Sequence, residues 1–220
     1  MKTKLSWGLL ALLSVVLTGC GEPVSRNTGV YMLIDTSGTY TKEIEKAQKI
    51  INYLLGTLTT GDSLAVAKID SGSFSEKDII AKVTFDTKPS QANSQKRAFQ
   101  TTINQFVGRV SSSSYTDITG GMIQGIEFLN ESRAGKKHIL IFSDLKEEIK
   151  KGHIRDFPID FNGIKVSAIN VTKLRTDNVD PREYLDRLEA WRTRVEAGGG
   201  TWRVVNDLNR IETLLGDRSE

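Results

Sequence analysis

Residues 30–34, Val-Tyr-Met-Leu-Ile, are apolar without interruption. A strand with no polar alternation has to be covered on both faces, as strands at the centre of a parallel sheet are. The stretch after it changes period: Ile44, Ala47, Ile51, Leu54, Leu55 and Leu58 recur at helical spacing, and the helix closes near Gly61. Strand followed by helix recurs along the chain, with strands expected at 138–142, 164–171 and 201–205. The intervening helices carry Phe99, Ile103, Phe106, Val107 and Val110, then Ile118, Met122, Ile126 and Leu129, then Tyr184, Leu188, Trp191 and Val195. Asp180, Pro181 and Glu183 supply a cap, a first-turn proline and an acid three residues after the cap. A last helix is expected with Leu208, Ile211 and Leu215. Residues 63–69 and 79–85 read as strands separated by a turn beginning at Asp70, so they form a hairpin whose second arm is an antiparallel edge. The predicted fold is α/β: a Rossmann-like doubly wound sheet, mostly parallel with one antiparallel edge strand, with helices on both faces.

The first residues do not fit that pattern. Lys2 and Lys4 precede an apolar stretch over 5–16 that is too short to span a bilayer. A charged start and a small-residue end are the marks of a secretory signal. The ending Leu17, Thr18, Gly19, Cys20 resembles the lipobox of bacterial lipoproteins. That resemblance implies a signal peptide over 1–19, cleavage before Cys20 and acylation of that cysteine. Several acyl chains anchor a protein stably where one holds it only marginally. Cys20 is the sole cysteine, so export to an oxidising compartment brings no internal disulfide. Gly21 rather than Asp after it leaves outer-membrane delivery open in a Gram-negative cell, with the domain on the periplasmic face. Residues 20–28 form a short tether and 29–217 one domain, large enough for a substantial core. The formal charge is +3, and removing Lys2 and Lys4 with the leader leaves +1. A near-neutral mature chain gives no compositional support for nucleic-acid binding.

At the end of the first strand stand Asp35, Thr36, Ser37, Gly38 and Thr39. A carboxylate and two hydroxyls at alternate positions can converge on a small hard cation, and Mg²⁺ or Mn²⁺ takes oxygen ligands with only one or two carboxylates. Asp, Ser and Thr also favour capped turns for reasons unrelated to metal. Asp144 follows another apolar strand, and in doubly wound sheets ligands bind beyond such carboxyl ends, where strand order reverses.

Asp35, Ser37, Thr39, Thr116, Ser143 and Asp144 together resemble the von Willebrand factor A domain with its metal-ion-dependent adhesion site, a likeness that runs over nearly the whole mature chain. The resemblance implies that Ser37, Thr39 and Thr116 ligate the metal through their hydroxyls, and that Asp35 and Asp144 act from the acidic positions, often through water. A partner protein's Glu or Asp then completes the shell. Neutral hydroxyls leave the ion electron-poor, which favours an incoming carboxylate, and the helix after Thr39 adds favourable dipoles. Three positions depart from the family pattern: Thr39 replaces a serine, Ser114 and Tyr115 replace two glycines, and Leu145 replaces the glycine after the last aspartate. They bear on loop shape and metal affinity.

The same run is one substitution from the Asp-x-Asp-Gly-Thr signature of haloacid dehalogenase phosphatases, but Ser37 stands where their general acid belongs. His138 lies in an apolar strand, and no Gly-x-Ser-x-Gly elbow is present. The expected protein is therefore a membrane-anchored extracytoplasmic binding module and not an enzyme, with a phosphatase-like hydrolase or a metal-free scaffold of the same fold as alternatives. Residues 111–114 read as a solvated connection, Glu147 and Glu148 as an exposed helix face, and 150–155 as solvated surface.

Overall fold

The computed structural model describes residues 25–38, 40–70 and 74–216; the leader, Cys20 and Thr39 lie outside them. Within the described residues the strands are β1 (Thr28–Asp35), β2 (Ser63–Ile69), β3 (Ile79–Thr84), β4 (Lys136–Phe142), β5 (Lys165–Ile169) and β6 (Thr201–Val205). The helices are α1 (Ile44–Thr57), α2 (Pro89–Val107), α3 (Ile118–Glu131) and α4 (Pro181–Ala197). The strands form one sheet in the order β3-β2-β1-β4-β5-β6, parallel except for the expected antiparallel edge β3. β1 lies between β2 and β4, so the winding direction reverses there. Register places Ile34 beside Phe142, which brings the residues that follow each strand to the same edge.

The unbroken apolar run of β1 serves two cores. Val30, Met32 and Ile34 pack with Leu140 and Phe142 against Ile50, Ile51 and Leu54 of α1 and Phe99 and Ile103 of α2. Tyr31 and Leu33 face the other way, with Ile139 and Ile141, toward Ile118 and Met122 of α3 and Trp191 and Val195 of α4. Each such side chain contributes about 1.5–3 kcal/mol when fully buried, so the central strands are the firmest part of the molecule. α3 approaches β1 closely because it presents glycine: a Cβ on Gly121 or Gly125 would lie 2.7 Å from Leu33 or Tyr31 respectively. That approach fixes the depth of Thr116 and Asp117, which immediately precede the helix.

Some boundaries differ from the sequence expectation. α2 stops at Val107, with Gly108 after it and the Arg109 amide bonded to Phe106, leaving Val110 outside the helix. The expected last helix is a short 3₁₀ segment over Leu208–Thr213. Leu208, Ile211 and the buried Leu214 recur every three residues, which suits three residues per turn. Arg203 also binds the carbonyls of Thr213 (2.9 Å) and Leu214, taking them from a continuing α-helix. At α4 the expected cap is present: the Asp180 carboxylate accepts from the Arg182 amide at 3.0 Å.

Candidate metal centre

Three loops meet at the carboxyl edge of the sheet, where the winding reverses. The first, 35–38, leaves β1; the second, 111–117, precedes α3; the third, 143–148, leaves β4. Hydrogen bonds join every pair of them. Ser143 Oγ donates to Asp35 Oδ2 at 2.7 Å, linking the first and third loops. The Ser113 amide donates to the Thr36 carbonyl at 2.9 Å, and Ser37 and Ser113 form a parallel bridge, linking first and second. Thr116 and Glu148 exchange amide-to-carbonyl bonds of 2.8 and 3.0 Å, linking second and third. Asp35, Ser37, Thr116 and Asp144 thus lie on one closed set of loops, although Asp35 and Asp144 are more than a hundred positions apart in sequence.

Asp35 is buried, and burial raises its carboxyl above the ordinary carboxylate range. Hydrogen bonds from Ser143 and from Ser37, whose amide lies 2.8 Å from Oδ1, partly offset that, while the nearby charge of Glu148 adds to it. Asp144 is also buried, and its carboxyl is pushed up to about 6, chiefly by burial and further by the negative charge of Asp35. The amide of Lys146 donates to Asp144 Oδ1 at 2.9 Å and works in the opposite direction. Cations near Asp144 are engaged elsewhere. Arg187 binds Asp177 at 2.8 Å and directs its Nε to the Asp144 backbone carbonyl, and Lys146 pairs with Glu148 at 2.6 Å. Among the described residues neither Asp35 nor Asp144 forms an ion pair.

Leu145, where the resemblance led one to expect glycine, sits at φ 66°, in the left-handed region that glycine tolerates best. It holds that conformation because its side chain is buried, its amide is bonded to Ser143 Oγ at 3.0 Å, and its carbonyl accepts from the Trp191 indole at 2.9 Å.

A polar network beneath the loops was not expected from the sequence. Asp117, 1% exposed, accepts three bonds from Arg155, the shortest from Nη2 to Oδ2 at 2.7 Å, and caps α3 by accepting from the Gly120 amide at 2.8 Å. Glu147 accepts from the Thr119 amide at 2.7 Å and its hydroxyl at 3.0 Å. Arg194 of α4 donates to the Thr119 hydroxyl at 2.7 Å and to the Arg155 carbonyl. Three expectations are corrected here. Glu147 and Glu148 lie on an irregular loop and not on an exposed helix face, because Glu147 is drawn inward to the start of α3. Arg155 is not solvated surface, because Asp117 binds it. Residues 111–114 are likewise more than a connection: Ser113 Oγ lies 2.6 Å from Asp70 Oδ1 and its backbone joins the first loop. The signal for Asp117 was present in its position as a helix cap directly after Thr116; nothing in the sequence marked Arg155 as its partner.

No family model matches the sequence, and no curated protein matches it. Solved structures do. The pilus adhesin SpaC of Lactobacillus rhamnosus GG, in its open conformation, aligns over 88% of this chain and 29% of its own at 13% identity, with a TM-score of 0.52. A von Willebrand factor type A protein from Catenulispora acidiphila aligns over 87% of this chain and 40% of its own at 17% identity and a TM-score of 0.48. The chain therefore spans well under half the length of these two structures. The strand order, the antiparallel edge at β3 and helices on both faces make this a Rossmann-type α/β fold, one shared with the pilus adhesin.

Proposed function

We propose that this chain is a lipid-anchored, extracytoplasmic module that binds another protein through a divalent cation held by Asp35, Ser37, Thr39, Thr116 and Asp144. The observation that carries the reading is the pair Asp35 and Asp144: two buried carboxylates at the winding reversal, each disfavoured as an anion by burial and without an ion pair among the described residues. A buried charge without a counter-charge is costly. Hydroxyl-bearing residues on the same loops complete an all-oxygen donor set, which fits Mg²⁺ or Mn²⁺. Bound there, the cation would supply the positive charge that attracts a partner's Glu or Asp carboxylate.

The chain's own residues do the rest. Ser143 and the Ser37 amide orient Asp35, the Thr116–Glu148 bridge holds the second loop against the third, and Arg155 fixes Asp117 behind Thr116. Binding is favoured over phosphoryl transfer because Ser37, not an acid, stands two residues after Asp35. Acylation of Cys20 would anchor the domain, and mass spectrometry of the mature N-terminus reads it directly. The pilus adhesin with the same fold is consistent with a recognition role, and adhesion, secretion and envelope assembly are all services such a module could perform.

The test is chelator-sensitive co-isolation from the membranes of the native host. After mild cross-linking in Mg²⁺, wild type should retain a protein that EDTA releases and that Ser37→Ala fails to retain. Retention that is unchanged by both chelator and substitution would contradict cation-dependent binding.

A further inference from the structure

Beside the candidate metal centre a groove of about 540 Å³ opens between the β2–β3 hairpin and the 106–115 segment. Its volume is that of a pocket for a few side chains. Most of its lining is polar or charged, with Ile79, Ile80, Phe106 and Val110, half-buried against the core, as an apolar floor and the exposed ring of Tyr115 along it. Val110 lies beyond the end of α2 at Val107, part of it packed on the core and part facing the groove. The charges of the groove divide into two sets. Lys68 is held by Asp70 at 2.6 Å and Asp78 at 3.4 Å, one cation between two carboxylates, so that end keeps one excess negative charge. Lys77 and Arg109 are exposed and form no ion pair among the described residues, so with three cations against two carboxylates the groove keeps one excess positive charge, on the side of these two. The groove and the cation site share a wall: Ser113 lines the groove and its backbone is bridged to Ser37.

We infer that this groove receives a segment of the partner protein carrying an apolar side chain flanked by acidic ones, continuous with the carboxylate offered to the cation. The inference rests on the cation-site reading for its continuity and on Lys77, Arg109 and the apolar floor for its chemistry. Tyr115 and Arg109 are residue types that dominate binding energy at protein interfaces. Charges at an interface rim mainly steer association and reject like charge. The segment should therefore bind best at low ionic strength.

The probe is a phage library of random dodecapeptides panned on the immobilised full chain in Mg²⁺. Recovered peptides, labelled with fluorescein, are then titrated by anisotropy against wild type, the double variant Lys77→Glu/Arg109→Glu, and Ser37→Ala. The peptides should be rich in Asp or Glu beside Leu, Ile or Phe, and the double variant should bind them about tenfold more weakly or worse. Both substituted side chains are exposed, so the double variant should melt like wild type by circular dichroism. Peptides with no acidic enrichment, or equal affinity for the double variant, would overturn the groove assignment. Loss in EDTA and in Ser37→Ala with no loss in the double variant upholds the cation site and refutes the groove. Loss in the double variant alone upholds the groove and refutes the cation dependence.

Discussion

Ser143 donates its hydroxyl to Asp35 at 2.7 Å, joining the end of β4 to the end of β1 across 108 positions of sequence. The same Oγ accepts the Leu145 amide at 3.0 Å, so one small side chain orients a carboxylate and shapes the loop that carries Asp144. Hydrogen bonds to charged groups contribute about 1.5–3 kcal/mol, more than neutral ones. Ser143→Ala should lower stability by about that amount at pH 7 and weaken Mg²⁺ binding as well. Ser143→Thr, which keeps the hydroxyl, should recover most of the affinity. Denaturant melts together with calorimetry separate the two effects, and full Mg²⁺ affinity in Ser143→Ala would remove the orienting role.

Asp144 predicts a pH dependence of definite sign. Its folded value of about 6 exceeds the ordinary 3.8, so its ionisation opposes folding. Stability it leaves intact below pH 4 is lost as pH rises through 6, on the order of 3 kcal/mol at pH 7 in the metal-free chain. Buried His138, whose ring nitrogens find no partner among the described residues, is held down to about 4 by burial and neighbouring cations and acts in the opposite direction. The comparison is therefore between wild type and Asp144→Asn, which share His138. In EDTA, Asp144→Asn should be the more stable at pH 7 and should converge with wild type near pH 4. Mg²⁺ should raise the melting temperature of wild type at pH 7 and have little effect at pH 5. Parallel pH profiles for the two proteins would refute the prediction.

Arg155 and Asp117 form a pair with one partner fully buried, and removing one side of such a pair costs about 3–5 kcal/mol, against 0–1 for an exposed pair. Arg155→Ala should therefore destabilise the fold by several kcal/mol, whereas Arg182→Ala, which breaks an exposed pair with Asp180, should leave the urea midpoint close to that of wild type. Urea melts of the two variants make the comparison, and equal effects would mean that the Asp117 network is not structural.

At Leu145 two effects compete. Replacing it with glycine relieves a left-handed backbone, worth about 1 kcal/mol, but removes a buried side chain whose loss costs about 2–5 kcal/mol. Burial wins by magnitude, so Leu145→Gly should destabilise by about 1–4 kcal/mol although glycine is the residue of the resembled pattern. A thermal melt that shows stabilisation would reverse that ranking.

Periodic features were readable before the structure was. Residues 30–34 announced a strand buried on both faces, Asp180 its cap, and the turn at Asp70 an antiparallel edge, because each depends on neighbours in sequence. The polar network was not readable, since Glu147 meets Thr119 and Arg155 meets Asp117 through the fold and leave no periodic trace. Spacing also misled at the end of the chain, where Leu208 and Ile211, three residues apart, fit a 3₁₀ turn as well as an α-helix, and Arg203 decides between them. For the candidate ligands, the sequence put Asp35 and Asp144 at strand ends; only the register of β1 against β4 makes them neighbours.

Titration calorimetry with Mn²⁺ reads the cation site directly. The wild-type chain at pH 7 should show a single-site isotherm that is absent in Asp35→Ala and weakened about tenfold or more in Thr116→Ala, because Thr116 would meet the ion only through its hydroxyl. The same heat in wild type and Asp35→Ala, or none in wild type at millimolar Mn²⁺, would contradict a divalent cation bound between the ends of β1 and β4.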